Sequence, residues 1–140
     1  MKRLIAAAAM TLLAVPAFAG SHASGDAEKG EKGMNKCKAC HMIETPDGES
    51  ILKGGKTGPN LYGVIGRTAG TYEDFNYGDD LVAAGAAGLV WDEENFVAYT
   101  ADPKEFLATY LDNSKAKSKM TFKLKKGAED IYAYLVSVAE

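Results

Sequence analysis

The sequence predicts an all-α fold of about five short helices. Three observations predict it. Apolar residues recur at helical spacing in several short stretches, each bounded by capping or breaking residues. No segment alternates convincingly with period two, as a half-buried strand would. The chain's two cysteines fall in one stretch, Cys37-Lys38-Ala39-Cys40-His41, three apart and followed at once by histidine. The predicted helices are too short to stand alone, since isolated helices under ~12–15 residues are marginal in water. The chain therefore needs a large apolar group at its centre, and the cysteine pair indicates which.

On a helical turn, positions i and i+3 point the same way. Both thiols can reach the two vinyl groups along one side of a porphyrin and form thioethers. The next residue is then carried under the ring. Cys37 and Cys40 are thus read as the covalent attachment points of one haem c, and His41 as the proximal axial ligand of its iron. Other uses fit less well. A structural zinc site needs four ligands, and the only candidates are Cys37, Cys40, His41 and His22, the last of which lies where a leader would end. A thioredoxin-like dithiol would want a strand before Cys37, and none is predicted. A disulfide between cysteines three apart on a helix would be strained.

Residues 1–19 read as a secretory signal peptide. Lys2 and Arg3 form a positive n-region, and Leu4 to Val15 is uncharged. Pro16 breaks the run, and Ala17-Phe18-Ala19 is a small-x-small cleavage site. The apolar run is too short to span a bilayer comfortably, which takes ~20 residues. Residues 20–140 are then one compact domain, placed in the periplasm, where exported haem and the attachment machinery would be met. Composition is that of an ordinary soluble protein, without repeats or low-complexity tracts. The chain carries 16 basic and 19 acidic residues, and loss of Lys2 and Arg3 makes it more acidic. That balance gives no support for nucleic-acid binding.

The elements follow in order. Asp26 to Lys38 is the first helix: Ala27, Gly30, Met34 and Cys37 share one face, and Ser24 or Asp26 can cap it. Gly30 costs ~1 kcal/mol of helix propensity relative to alanine, which close approach of another helix would explain. Thr45 to Arg67 is loop, because its glycines forbid a long regular element. Asp79 or Asp80 opens a short helix through Leu81 to Ala84, which Gly85 ends. Glu93 to Thr100 is another. Asp102-Pro103-Lys104-Glu105 is a strong helix start, and Phe106, Leu107 and Tyr110 give that helix its apolar face. Lys115 to Lys126 is basic and irregular. Gly127 precedes the last helix, where Ile131, Tyr134, Leu135 and Val138 sit at i, i+3, i+4 and i+7.

The second axial ligand is found by elimination. Met and His are the candidates. Met1, Met10 and His22 belong to the leader or its edge. Met42 adjoins His41 on the proximal side, and Met34 lies on the apolar face of the first helix. Met120 remains, in a loop that can fold over the far face of the ring. With both axial positions filled, small molecules are excluded and the site carries an electron.

These residues resemble those of class I c-type cytochromes, most closely the longer bacterial cytochrome c2 and c-550 proteins. The markers are Cys37-Lys38-Ala39-Cys40-His41, Lys56-Thr57-Gly58-Pro59-Asn60-Leu61-Tyr62-Gly63, Gly66-Arg67, Trp91 and Lys119-Met120-Thr121-Phe122. The resemblance spans roughly Gly25 to Val138 and implies a cytochrome c fold in which the first and last helices cross. It implies that the Pro59 carbonyl accepts a hydrogen bond from His41 Nδ1. It implies that Arg67, Tyr77 and Trp91 hold the haem propionates, and that Tyr99 is the buried tyrosine beside the methionine sulfur. The segments from His41 to Pro59 and from Pro103 to Met120 are longer than in short mitochondrial members.

The function so implied is that of a soluble, monomeric, periplasmic carrier of single electrons. It would take them from a bc1-type complex and deliver them to a terminal oxidase, a photosynthetic reaction centre or a reductase. The alternative is a haem enzyme or gas-binding protein with an open iron site. Cytochromes c′ of that kind carry the attachment motif near the C-terminus, whereas here it is near the N-terminus and Met120 is available. Docking is expected to be electrostatic despite the acidic total. Lys115, Lys117, Lys119, Lys123, Lys125 and Lys126 form a run with no acid between, and Lys36, Lys38, Lys53 and Lys56 flank the attachment segment and the Pro59 loop. All should surround the exposed haem edge, with Glu73, Asp74, Asp79, Asp80, Asp92, Glu93 and Glu94 gathered elsewhere.

Overall fold

The computed structural model describes residues 23–140. The leader expected at residues 1–19, with Met1, Met10 and His22, lies outside them. Five helices run in order: α1 (Ala27–Gly33), α2 (Asp79–Ala86), α3 (Glu93–Ala101), α4 (Pro103–Tyr110) and α5 (Ala128–Ser137). None of the described helices is long and apolar enough to cross a membrane.

The caps are those the sequence offers. Asp26 accepts hydrogen bonds from the amides of Glu28 and Lys29, so the N-cap is Asp26 rather than Ser24. Asp92 caps α3 through Asn95, and Asp102 caps α4 through Glu105 with Pro103 in the first turn. Each cap satisfies a backbone donor that has no partner inside its helix. Gly127 precedes α5 with φ 85°, a left-handed conformation that favours glycine.

Three boundaries differ from the sequence reading. The first helix stops as an α-helix at Gly33 and tightens into a 3-10 turn over Met34–Lys36. One more turn follows, in which the His41 amide donates to the Cys37 carbonyl at 2.9 Å. Gly85 does not end α2 but lies buried inside it, where a Cβ would collide with the Ala69 carbonyl oxygen. Packing there outweighs propensity, and the left-handed Gly88 follows the helix end. The stretch read as loop also takes part in short pairings with residues on either side of it. Strands β1 (Ile43–Glu44) and β2 (Ser50–Leu52) form an antiparallel hairpin with an irregular register. Farther on, Gly66 and Ala69 donate to the Trp91 and Leu89 carbonyls, and Trp91 donates back to Arg67. Segments of two or three residues are too short to show periodicity.

The core explains the arrangement. Met34, Ile43, Leu89, Leu107 and Leu135 are almost completely buried, as are Ile131 and Tyr132 of α5. Helices α1 and α5 pack closely, and Gly30 sits where they meet. A Cβ at Gly30 would meet the Asp130 carbonyl carbon at 2.5 Å and Tyr134 Cβ at 2.8 Å. This is the close approach that the costly glycine implied. Met34 packs in the core, as expected of it. On the other side α3 touches both α4 and α5, with Phe96 and Tyr132 edge to face at 5.8 Å between ring centroids.

Candidate functional site: an apolar cleft between His41 and Met120

A cleft of about 320 Å³ opens among these elements, lined mostly by apolar side chains. Cys37, Cys40, His41, Pro59, Tyr77, Trp91, Tyr99 and Met120 all line it. The two cysteine thiols are not joined to each other. Burial raises the Cys37 thiol above its ordinary pKa and so favours the protonated form. The structure thus brings together eight of the nine residues proposed from the sequence. Arg67 is the exception: it does not line the cleft. Its guanidinium lies over the Tyr72 ring, 5.1 Å from the centroid, and donates to the Tyr62 carbonyl at 3.4 Å. Arg67 still lies one residue from the site in backbone terms, since its carbonyl accepts from Trp91.

His41 is held by the loop that follows the hairpin. Its Nδ1 lies 2.8 Å from the Pro59 carbonyl oxygen. A carbonyl can only accept, so Nδ1 carries the proton and Nε2 keeps its lone pair. Burial pushes the imidazole below its ordinary pKa, partly opposed by the Pro59 bond, and favours the neutral, metal-binding form. The surrounding glycines have a steric reason. Gly55 and Gly58 donate to the Lys38 and Cys40 carbonyls, which draws the loop against the cysteine turn. A Cβ at Gly58 would lie 2.7 Å from His41 Nδ1 and 2.8 Å from Nε2. Glycine leaves room for the ring in this orientation.

Asn60 was not assigned a role from the sequence, yet it fixes this loop. It is buried, and its side-chain oxygen accepts from the amides of Glu44 and Tyr62 while its amide nitrogen donates to the Glu44 carbonyl at 2.7 Å. Two of these bonds tie the Pro59 loop to β1 at Glu44, and the third closes the loop locally at Tyr62. The available signal was a polar residue directly after Gly58-Pro59, where a turn needs its backbone groups satisfied.

Part of the lining is aromatic. Trp91 and Tyr99 lie 4.9 Å apart between centroids, and Phe106 meets Tyr99 edge to face at 5.8 Å. The Tyr99 hydroxyl is 3.5 Å from Ser118 Oγ, two residues before Met120. Burial raises the pKa of both Tyr99 and Tyr77, so both remain protonated donors at neutral pH.

Lysines contribute to the cleft itself at three positions. Lys36, Lys117 and Lys119 line it, whereas Lys38, Lys53, Lys56, Lys115, Lys123, Lys125 and Lys126 do not. Lys123 pairs with Asp102 at 2.5 Å, and Asp80 accepts from the Lys117 amide at 2.7 Å. The basic run therefore has acidic neighbours supplied by the fold, and the separation of lysines from acids is not clean.

A flat apolar group bonded through Cys37 and Cys40 fits this cleft. It has apolar walls, a neutral imidazole on one lining segment and a soft thioether on another. Among the described residues no three His, Cys, Asp or Glu side chains gather as a metal-ion site. Fold and cleft together define a class: a shell of short helices around an apolar cleft that a cysteine pair, a histidine and a methionine line.

Known proteins narrow the class. No family model matches the chain. Cytochrome c-551 of Roseobacter denitrificans is 65% identical over 131 residues, covering 94% of this chain and 91% of that protein. Cytochrome c2 of Rhodobacter capsulatus is 58% identical over 135 residues, covering 96% and 95%. The solved structure of the latter superposes with a TM-score of 0.80 at 60% identity, over 83% of this chain and all of that one. Ferric cytochrome c-550 of Paracoccus versutus superposes with a TM-score of 0.81 at 50% identity, over 84% and 100%. The chain belongs to the cytochrome c2/c-550 family of electron-transfer proteins, which are carriers and not enzymes.

Proposed function

We propose that this protein is a periplasmic monohaem carrier of single electrons, exported by a leader at residues 1–19. Cys37 and Cys40 would hold haem c through thioethers, and His41 Nε2 and the Met120 sulfur would ligate its iron. The observation that carries this reading is the His41 imidazole, held through Nδ1 by the Pro59 carbonyl in the same cleft as both thiols and Met120. When bound, haem c supplies the one-electron couple. The chain's own residues set its conditions. Pro59 and Asn60 orient the imidazole, the apolar walls exclude water, and Met120 shuts out exogenous ligands and raises the potential by preferring the ferrous state. Tyr77 and Trp91 offer a hydroxyl and an indole N–H to the propionates. Arg67 acts from farther out through Tyr77, whose phenol its charge influences.

The partners are proposed to be a bc1-type donor and an oxidase, reaction-centre or reductase acceptor, docking where Lys36, Lys117 and Lys119 border the cleft. An optical spectrum of the purified protein tests the core of the proposal. A low-spin haem spectrum with the far-red sulfur-to-iron band is expected. High-spin haem, or loss of covalent haem only when residues other than Cys37 and Cys40 are replaced, would overturn it.

A further inference from the structure

Met120 lies in a stretch without helix or strand, between the end of α4 and the start of α5. Such a stretch has no ladder of hydrogen bonds to hold it, and ordering it opposes ~1–2 kcal/mol of backbone entropy per residue. Its position over the cleft must come from outside contacts, and these occur at both ends. On the C-terminal side, the Leu124 amide donates to the Thr100 carbonyl at 2.8 Å and Lys123 reaches Asp102. On the N-terminal side, the partners are in a segment about forty residues away in sequence. The Lys117 amide donates to Asp80 Oδ2 at 2.7 Å, and the Lys119 ammonium donates to the Asn76 carbonyl at 2.8 Å. The Lys119 stem lies over Gly78, its Cγ 3.4 Å from where a Cβ would stand.

These contacts differ in kind. Lys119 is a long exposed side chain whose bond is made at the cost of rotamer freedom. The Asp80 bond joins a carboxylate at the start of α2 directly to the loop backbone, three residues from Met120. A hydrogen bond to an ionised acceptor is about twice as strong as a neutral one. It also acts on the main chain, so it fixes where the following residues begin. We propose that Asp80 is a positioning residue for Met120: its carboxylate clamps the Lys117 amide and sets how often the loop swings away from the cleft. This rests on the reading of Met120 as an axial ligand.

The test uses the haem-loaded ferric protein with imidazole as probe, at concentrations where loop opening limits binding. Loss of a hydrogen bond to a charged group should raise the opening frequency about tenfold, so Asp80→Ala should bind imidazole about tenfold faster. Asp80→Asn keeps an acceptor oxygen without the charge and should fall between the parent and Asp80→Ala. Asp79→Ala, which removes an exposed acid from the same helical turn, should leave the rate unchanged. Amide hydrogen exchange at Lys117 should accelerate in parallel, most in Asp80→Ala and not at all in Asp79→Ala. If that variant gives too little holoprotein, Asp80→Ser, whose oxygen is too short to reach the amide, replaces it with the same expectation. A parent-like rate and exchange in Asp80→Ala or its replacement overturn the proposal, as does equal acceleration in Asp80→Asn or Asp79→Ala. Met120→Ala separates the two readings. If it leaves imidazole binding unchanged, Met120 is not the ligand, while exchange at Lys117 still reports on the clamp.

Discussion

Replacing Gly30 with alanine sets two effects of opposite sign against each other in one helix. Alanine in a helix interior is favoured over glycine by about 1 kcal/mol. The new methyl, however, would stand 2.5 Å from the Asp130 carbonyl carbon and 2.8 Å from Tyr134 Cβ. Carbon atoms rest at about 3.5–4.0 Å, so α1 and α5 would have to part by about 1 Å. A gap of that size forfeits a quarter to a half of each remaining contact's attraction, and overpacking of this kind typically costs about 1–3 kcal/mol. The obstacle is helical backbone, which cannot swing aside, so the cost falls at the upper end. The net destabilisation should be about 2 kcal/mol, lowering the thermal midpoint by roughly 10 °C for a domain of this size. Gly33→Ala is the matched control. Its methyl would meet only Ile131 side-chain carbons, at 3.0 and 3.2 Å, and that side chain can turn. Its midpoint should move by no more than about 2 °C, a small residue of the opposing propensity and packing effects. Thermal unfolding of both haem-loaded variants, followed by far-ultraviolet circular dichroism, decides the matter. A rise in midpoint for Gly30→Ala, or equal shifts in the two, would refute the steric reasoning.

Asn60→Ala should lose about 3 kcal/mol by urea unfolding, because it leaves the Glu44 and Tyr62 backbone groups without their partners; a loss below 1 kcal/mol would show that water replaces the side chain. Met120→Ala should abolish the far-red band, lower the potential and admit imidazole, and an unchanged spectrum would mean that another residue ligates the iron. Charge reversal at Lys36 or Lys119 should slow association with a redox partner at low salt, with the difference fading as salt screens it. Reversal at Lys123, already paired with Asp102, should slow it less, and equal slowing at all three positions would count against docking at the cleft. Asp102 is held below its ordinary carboxyl pKa of 3.8, first by the Lys123 side chain and then by the Glu105 amide. A depressed folded-state value stabilises above the unfolded pKa, and that contribution disappears as pH falls through the folded one. Asp102→Asn should therefore flatten the acid limb of the stability profile below pH 3.8, and an unaltered limb would assign acid unfolding to other carboxylates.

The residues proposed to hold the cofactor were legible in sequence because their chemistry is local. Cys37, Cys40 and His41 occupy one turn, so their spacing alone places them around one ring edge. Helix starts at Asp26 and Asp102 were legible for the same reason: a cap and the amides it satisfies lie within three residues of each other. Met120 needed only elimination among few candidates. The tertiary structure decided what depends on residues far apart in the chain. Gly85 lies inside α2 because the Ala69 backbone passes against it, and no local pattern announces that neighbour. The hairpin of β1 and β2 is too short to show alternation, and it is Asn60 that ties the Pro59 loop to β1. The lysine run from Lys115 to Lys126 has no acid in its own sequence, yet the fold gives it Asp80 and Asp102, because charges interact through space. By itself the sequence determined which atoms could bond the haem and which segments could be helices, since both follow from neighbours within a turn. Only the tertiary structure decided what holds Met120 in place and which lysines face the cleft, since those contacts join residues about forty positions apart in the chain.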